Sequence, residues 1–294
     1  MAERKDPALV RSSFTLPSLP LDRAYGLVAS CARGVRLSVQ MSGWSKLAAM
    51  TAGAALAASL SACAYNQALG RNQLLVVDDA QLTQSAAQAW QQQLQTARIS
   101  RDPVANVRVH EVGRRIVNAA GLGGQHWEYV VFQNSEANAF VLPGGRMGVN
   151  TGLIEIVHND DQLAAVIGHE VGHILAHHAA ERYSQQQLTS IALAGAKAFG
   201  GSSGAGKAIA SYGSIGAQYG LLLPFSRQHE LEADRIGVDL MQKAGYDPRQ
   251  AVDLWRMMAS RAGAKGPPQF ASTHPSDAQR VSALEAYLRQ RGWG

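Results

Sequence analysis

VIGHEVGHILAHH, residues 166–178, holds four of the nine histidines in this 294-residue chain. Its reading decides the fold: His169-Glu170-Val171-Gly172-His173 belongs either to a helix that carries a metal site or to a helix with a histidine-rich surface. Asn159, Asp160 and Asp161 precede it as helix-start residues, whose side chains accept from N–H groups that the first turn leaves unpaired. Leu163, Ile167, Val171 and Ile174 recur at helical spacing as an apolar stripe. The pattern predicts one helix from that cap to about Gln187. On such a helix residues four apart share a face, about 6 Å apart along the axis, so His169 and His173 can share one ion. Glu170 then lies beside the first ligand but off its bonding axis, where a base for an attacking water is needed. Zinc suits imidazole ligands and carries no redox risk.

Two histidines need a third protein ligand to make a catalytic zinc site. A third histidine six residues after the second, preceded by a glycine, would supply it, but Ala176 and Ala179 occupy those positions. Three ligands in a row down one straight helix cannot surround an ion, so His177 and His178 read as surface residues or as partners of a ligand. The better candidate lies in SRQHELEADRIG, residues 226–237. Glu230 and Asp234 are four apart and share a face, while Glu232 points elsewhere. Glu230 can ligate, and Asp234 can accept the free N–H of a ligand histidine and fix its tautomer.

Composition excludes other classes. The formal charge of +5 invites a nucleic-acid reading, but much of the basic excess lies in the first 46 residues and no Arg/Lys block follows. GSSGAGKA, residues 201–208, nearly spells a phosphate loop, but Ala208 stands where Ser or Thr would hold magnesium and no strand precedes it. Cys31 and Cys63 are the two cysteines. If the chain is cut before Cys63, no internal disulfide and no thiolate cluster can form, and a metal must be held by nitrogen and oxygen.

The organisation expected along the chain runs as follows. Residues 1–40 read either as an unusual extension or as a mis-assigned start, with Met41 as the true one. KLAAMTAGAALAASLSAC (46–63) offers about fourteen apolar residues, too few to span a bilayer but suited to an export signal. Its Leu60-Ser61-Ala62-Cys63 ending resembles the bacterial lipobox, so 41–62 reads as a lipoprotein signal and Cys63 as the lipidated residue. Ala64 after it points, by resemblance to enterobacterial sorting, to the outer membrane. Residues 63–100 are a tether (64–79) and a glutamine-rich helix (81–99), and 101–294 the catalytic domain. Asp102-Pro103 starts a helix to about Ala120 with Val104, Val107, Val112 and Ile116 on one side. HWEYVVFQ (126–133) and NAFVLPGGRMGVN (138–150) read as short strands around the Pro143-Gly144-Gly145 turn. Helices follow near 227–243, 248–262 and 276–290. The apolar, glycine-rich stretch 194–223 is either a lid, a membrane-touching segment or a pair of small-residue helices. The fold class is α+β, mostly helical, with a small sheet beside the helix that carries the motif.

HEVGH, SRQHELEAD and THPSDAQRV, in this order, resemble the gluzincin metallopeptidases that include the CAAX prenyl protease and the HtpX-type peptidases, and more narrowly their small periplasmic lipoprotein branch. The resemblance covers about residues 100–290, including NAFVLPGG, which is similar to the family's strand beside the substrate cleft. It implies a zincin-like fold, one zinc ion held by His169, His173 and Glu230, Glu170 as general base and Asp234 behind a ligand. His274 matches a late histidine that reaches the zinc or the reacting carbonyl. Arg227 and Arg280 match basic positions that steady carboxylates or the oxyanion. The segment from Asn138 through Ala139 and Phe140, as an edge strand, would hold a substrate by β-addition. The expected activity is endoproteolysis of unfolded or misassembled envelope proteins, by a lipid-anchored protein of the bacterial outer membrane facing the periplasm. The competing reading is a non-catalytic, zinc-containing assembly factor. His274, in the fourth zinc position, would displace water and hold the enzyme off.

Overall fold

The computed structural model describes residues 63–77, 79–199, 226–265, 270, 274 and 278–294. The expected extension, the export signal, the 201–208 glycine run and most of the 194–223 stretch lie outside them. In place of a tether, β1 (Cys63–Asn66) and β2 (Arg71–Leu74) form an antiparallel hairpin. Its buried side chains are polar: Asn66 Nδ2 donates to Gln73 Oε1 and to the Leu175 carbonyl, and Gln73 Nε2 donates to the Ala176 carbonyl. These bonds satisfy carbonyls that a helix end leaves unpaired. A hydropathy pattern assigns such residues to solvent, which is why the strands read as a tether.

The glutamine-rich helix α1 (Asp79–Thr96) forms as expected, anchored by fully buried Trp90, whose Nε1 donates to Glu128 and whose ring meets Phe132 and Phe140 edge-on. Asp102 accepts from the Val104 N–H and Pro103 opens α2 (Pro103–Ala119). Its buried stripe is Ala105, Val109, Val112 and Ile116; Val104 and Val107 are 73% and 68% exposed. At 100° per residue Val104 and Val107 lie about 120° and 180° around the helix from Ile116, outside the buried stripe, so the valines at the start of the helix mark the wrong face.

β3 (Glu128–Phe132), β4 (Ala139–Leu142) and β5 (Arg146–Asn150) form one sheet in the order β3-β5-β4, with β3 parallel and β4 antiparallel to β5. Gly144 and Gly145 close the β4–β5 turn with φ of +85° and +77°, a left-handed pair that only glycine adopts freely. β4 takes an edge of the sheet. After the short α3 (Thr151–Ile156), Asn159 accepts from the Gln162 N–H and starts α4 (Asp160–Leu175), which is buried from Gln162 to His173.

The expected single helix to Gln187 is interrupted. His177 has φ +51°, and α5 (His178–Phe199) starts after it as a separate helix. No glycine or proline marks the break, so spacing alone ran through it. Ser226 accepts from the His229 N–H to start α6 (Arg227–Lys243), followed by α7 (Arg249–Lys265) and α8 (Ala278–Gln290). The core gathers α2, the sheet, α6, α7 and α8 around α4. Among the described residues no helix is long and apolar enough to cross a membrane.

α4 and α6 touch backbone to backbone. A Cβ added to Gly172 would stand 2.8 Å from the Ala233 carbonyl oxygen, and one on Gly237 2.9 Å from the His169 nitrogen. Small residues four apart on both helices permit this approach. It sets His169 and His173 directly against Glu230 and Asp234.

Candidate active site

The seam between α4 and α6 brings donor atoms together. Nε2 of His169 and of His173 are 3.0 Å apart, and His274 Nδ1 lies 3.2 Å from the former and 3.0 Å from Glu230 Oε1. The Glu230 oxygens stand 3.4 Å from His169 Nε2 and 3.5 Å from His173 Nε2. All four residues are buried, and one donor atom from each lies within 4.8 Å of the others. Donors held tetrahedrally at zinc–nitrogen and zinc–oxygen distances stand about 3.3–3.4 Å from one another, which is close to the spacing found.

The hydrogen bonds behind the histidines fix which nitrogen faces inward. His169 Nδ1 lies 2.9 Å from Asp234 Oδ1 and donates to it, so its Nε2 carries a bare lone pair. His173 Nδ1 lies 2.8 Å from His178 Nδ1, and His178 Nε2 lies 3.0 Å from Glu232 Oε2. The far N–H of His178 donates to that carboxylate, its Nδ1 accepts from His173, and His173 Nε2 is bare as well. Two lone pairs facing each other at this distance repel unless a proton or a metal ion stands between them. The residues therefore fit a metal ion held by nitrogen and oxygen.

Charge around the site agrees. Burial and Arg280 oppose a charged His169, but Glu230 and Asp234 outweigh them, so that without a cation its pKa stands at about 9. Burial holds His173 well below its usual value, as a neutral ligand requires. Burial works against ionised Glu230, but the neighbouring histidines hold it far below the carboxylate range; Asp234 is likewise held low by Arg280 and His169 against burial. Burial pushes Glu170 up, against the pull of His274 and His169, and its Oε1 lies 3.3 Å from His274 Nε2.

Arg280 is buried and clamps the carboxylates. Its Nη2 donates to Asp234 Oδ1 at 2.8 Å, its Nη1 lies 2.9 Å from Glu230 Oε2, and its guanidinium sits 4.6 Å above the Trp255 ring. Trp255, Phe270 and His274 stack in a ladder, with centroids 5.6 Å and 4.5 Å apart. The Phe270 N–H donates to the Ala137 carbonyl and tethers the ladder beside β4.

Of the residues expected from the sequence, His169, His173, Glu230 and His274 converge, and Glu170, Asp234 and Arg280 touch them. Arg227 does not join this buried group. It is exposed at the first residue of α6, where a first-turn side chain reaches solvent, and donates to Gln279 Oε1. Ala139 and Phe140 lie on edge strand β4 with Asn138 just before it, and the backbone N–H of Val141 in the same strand favours the charged form of Glu170. Sequence spacing gave no role to Arg71, Glu181, His229, Trp255 or Phe270, and it pointed Glu232 away from the site. Glu232 does leave the ligand face, and it meets His178 there. His178 is fully buried, a consequence of the break at His177.

The pattern of Peptidase family M48 matches residues 103–288. Similar proteins include the mitochondrial metalloendopeptidase OMA1 of Schizosaccharomyces pombe, 39% identical over 61% of this chain and 52% of that one. The OMA1 of Saccharomyces cerevisiae is 30% identical over 68% of this chain and 60% of its own length. The β-barrel assembly-enhancing protease of Escherichia coli K12 is 28% identical over 64% and 39%. The chain thus spans about half the length of the curated relatives it matches. These relatives overturn the expected location at the bacterial outer membrane, facing the periplasm: those of higher identity are mitochondrial proteins by name. That expectation rested on the apolar run ending in Leu60 to Cys63 and on Ala64 after it, which lie outside the matched region, and on the resemblance to the periplasmic lipoprotein branch. The match covers the α4 motif, Glu230, Asp234 and His274 together, and the chain belongs to peptidase family M48.

Proposed function

We propose that this chain is a zinc-dependent endopeptidase acting on unfolded or misassembled proteins. The observation that carries the reading is the convergence of buried donors from His169, His173, Glu230 and His274, all within 4.8 Å of one another, with a buried carboxylate, Glu170, beside them. His169, His173 and Glu230 would hold the ion. Bound zinc supplies a Lewis acid that polarises water and the scissile carbonyl. Glu170 accepts the proton of the attacking water at a carboxylate oxygen and passes it to the leaving amine, and its raised pKa suits both halves of that task. Asp234 and His178 keep the ligand histidines in the tautomer with Nε2 bare, while Arg280 balances the carboxylate charge.

Edge strand β4 lies against Glu170 and offers main-chain groups for an extended substrate to pair with. Such a grip reads backbone more than side chain, which suits unfolded segments, and the E. coli relative is named for β-barrel assembly. The zincin-like fold and the kinship to the CAAX prenyl protease and HtpX types form part of this proposal, supported by the order of the three motifs. So does a resting latch: His274 Nδ1, 3.2 Å from His169 Nε2 and 3.0 Å from Glu230 Oε1, would compete with an attacking water for the metal.

The test is Glu170→Gln in the chain purified from Ala64 onward, with bound zinc and casein cleavage measured side by side. Zinc near one per chain in both proteins, with cleavage reduced at least about a hundredfold in the variant, is the expected result. Equal zinc and equal activity in a deletion-complementation assay would instead favour the non-catalytic assembly factor.

A further inference from the structure

Behind His173 lies a polar cluster that the reaction does not use. Arg71 on β2 donates from Nε to Glu232 Oε1 at 2.7 Å and from Nη2 to Glu232 Oε2 at 2.8 Å. It also donates from Nη1 and Nη2 to the two oxygens of Glu181, each at 2.8 Å. Gln73 Nε2 bonds Glu181 Oε2 at 2.7 Å, and His229 Nε2 lies 3.3 Å from the same oxygen. His229 stacks on His178 with centroids 4.3 Å apart and planes at 20°. Glu232 Oε2 thus receives both Arg71 Nη2 and His178 Nε2.

This arrangement has a directional consequence. His173 can present a bare Nε2 only if its Nδ1 carries the proton, and that proton needs an acceptor. His178 Nδ1 accepts only while the proton of His178 stays on Nε2, facing Glu232. Glu232 keeps an oxygen there because Arg71 grips both of its oxygens from the hairpin. We infer that Arg71 is a positioning residue for the metal site, acting through Glu232 and His178 to fix the tautomer of His173. It stands outside the 103–288 region that the family pattern matches, so the β1–β2 hairpin is part of the working site and not an appendage.

The inference rests on the zinc reading above, and its test reads zinc affinity rather than activity. Zinc dissociation constants are measured by competition with a chromogenic chelator for the wild-type chain, Arg71→Met and Glu232→Met, whose side chain is of similar length but offers His178 no oxygen acceptor. Both variants are expected to bind zinc about ten- to a hundredfold more weakly. His178→Gln supplies the discriminating background: its amide oxygen accepts from His173 Nδ1 without help from Glu232. In that background Arg71→Met is expected to cost less than about threefold. Binding within twofold of wild type in Glu232→Met overturns the inference even if Arg71→Met fails to fold. So does an Arg71→Met loss of the same size in both backgrounds, which would mark Arg71 as packing alone. A wild-type chain that binds no zinc removes the zinc reading and this inference together, and is told apart from the other outcomes by that single measurement.

Discussion

His274 is the residue on which the resting state turns. It enters from a segment far along the chain, is held by ring stacking on Phe270, and places Nδ1 among the metal-facing donors while Nε2 faces Glu170. A ligand in that position competes with water, so replacing it should release the site. His274→Arg offers no lone pair. It is expected to retain zinc on His169, His173 and Glu230 and to raise casein cleavage severalfold over wild type. A fall in cleavage with zinc retained would assign His274 to the transition state instead of a latch. At this scale much of the site was legible. His169, Glu170, His173, Glu230 and Asp234 follow from spacings of one and four on two helices, because helix geometry converts such spacing into a shared face. His178 and Arg71 were not legible, since their contacts depend on a helix break without glycine or proline and on a hairpin whose buried residues are polar.

Elements meet at this site through small residues. Gly168 and Gly172 on α4 face Ala233 and Gly237 on α6, and a Cβ on Gly168 would stand 3.0 Å from the Gly237 carbonyl oxygen. Neither helix backbone can yield locally without moving a ligand. Gly172→Leu is therefore expected to cost about 1–3 kcal/mol through overpacking and to weaken zinc binding as well, because it pushes Glu230 away from His173. Gly124→Ala, where a Cβ meets nothing within 4 Å, serves as the control and should stay within about 0.5 kcal/mol. Urea midpoints and chelator competition on both variants check this; unchanged zinc affinity in Gly172→Leu would separate the seam from the site. Both helices and the β3–β5 sheet were foreseeable from periodicity and turn residues. The small-residue seam was not foreseen, because small residues four apart on a helix do not say which helix packs against them.

At the scale of the molecule, two polar knots among the described residues join segments distant in sequence. One joins residues 169–173, 230 and 274; the other joins β2 to the start of α5 and to α6. A metal that binds the folded chain alone stabilises it by mass action, about 4 kcal/mol when free zinc exceeds the dissociation constant a thousandfold. A chelator should therefore lower the thermal midpoint of the wild type but leave that of His173→Ala in place; equal midpoints with and without chelator in the wild type would contradict a structural share for the metal. The second knot predicts an acid dependence for the metal-free chain. Burial pushes the Glu181 carboxyl up, but Arg71 and Gln73 outweigh it and hold the pKa below its ordinary value of 4.5. As acid is added the unfolded chain takes up this proton before the folded one does. The stability that Glu181 contributes is complete above about pH 4.5 and is lost as the pH falls through the lower folded value. Glu181→Gln removes the Arg71 pair at every pH. It should be less stable than wild type near pH 7, lose less between about pH 5 and pH 3, and converge on wild type at the acid end. Urea midpoints across that range decide it: curves that stay parallel would place the acid sensitivity outside Glu181, whereas convergence would show that the hairpin is held to the helices by a charge that acid removes.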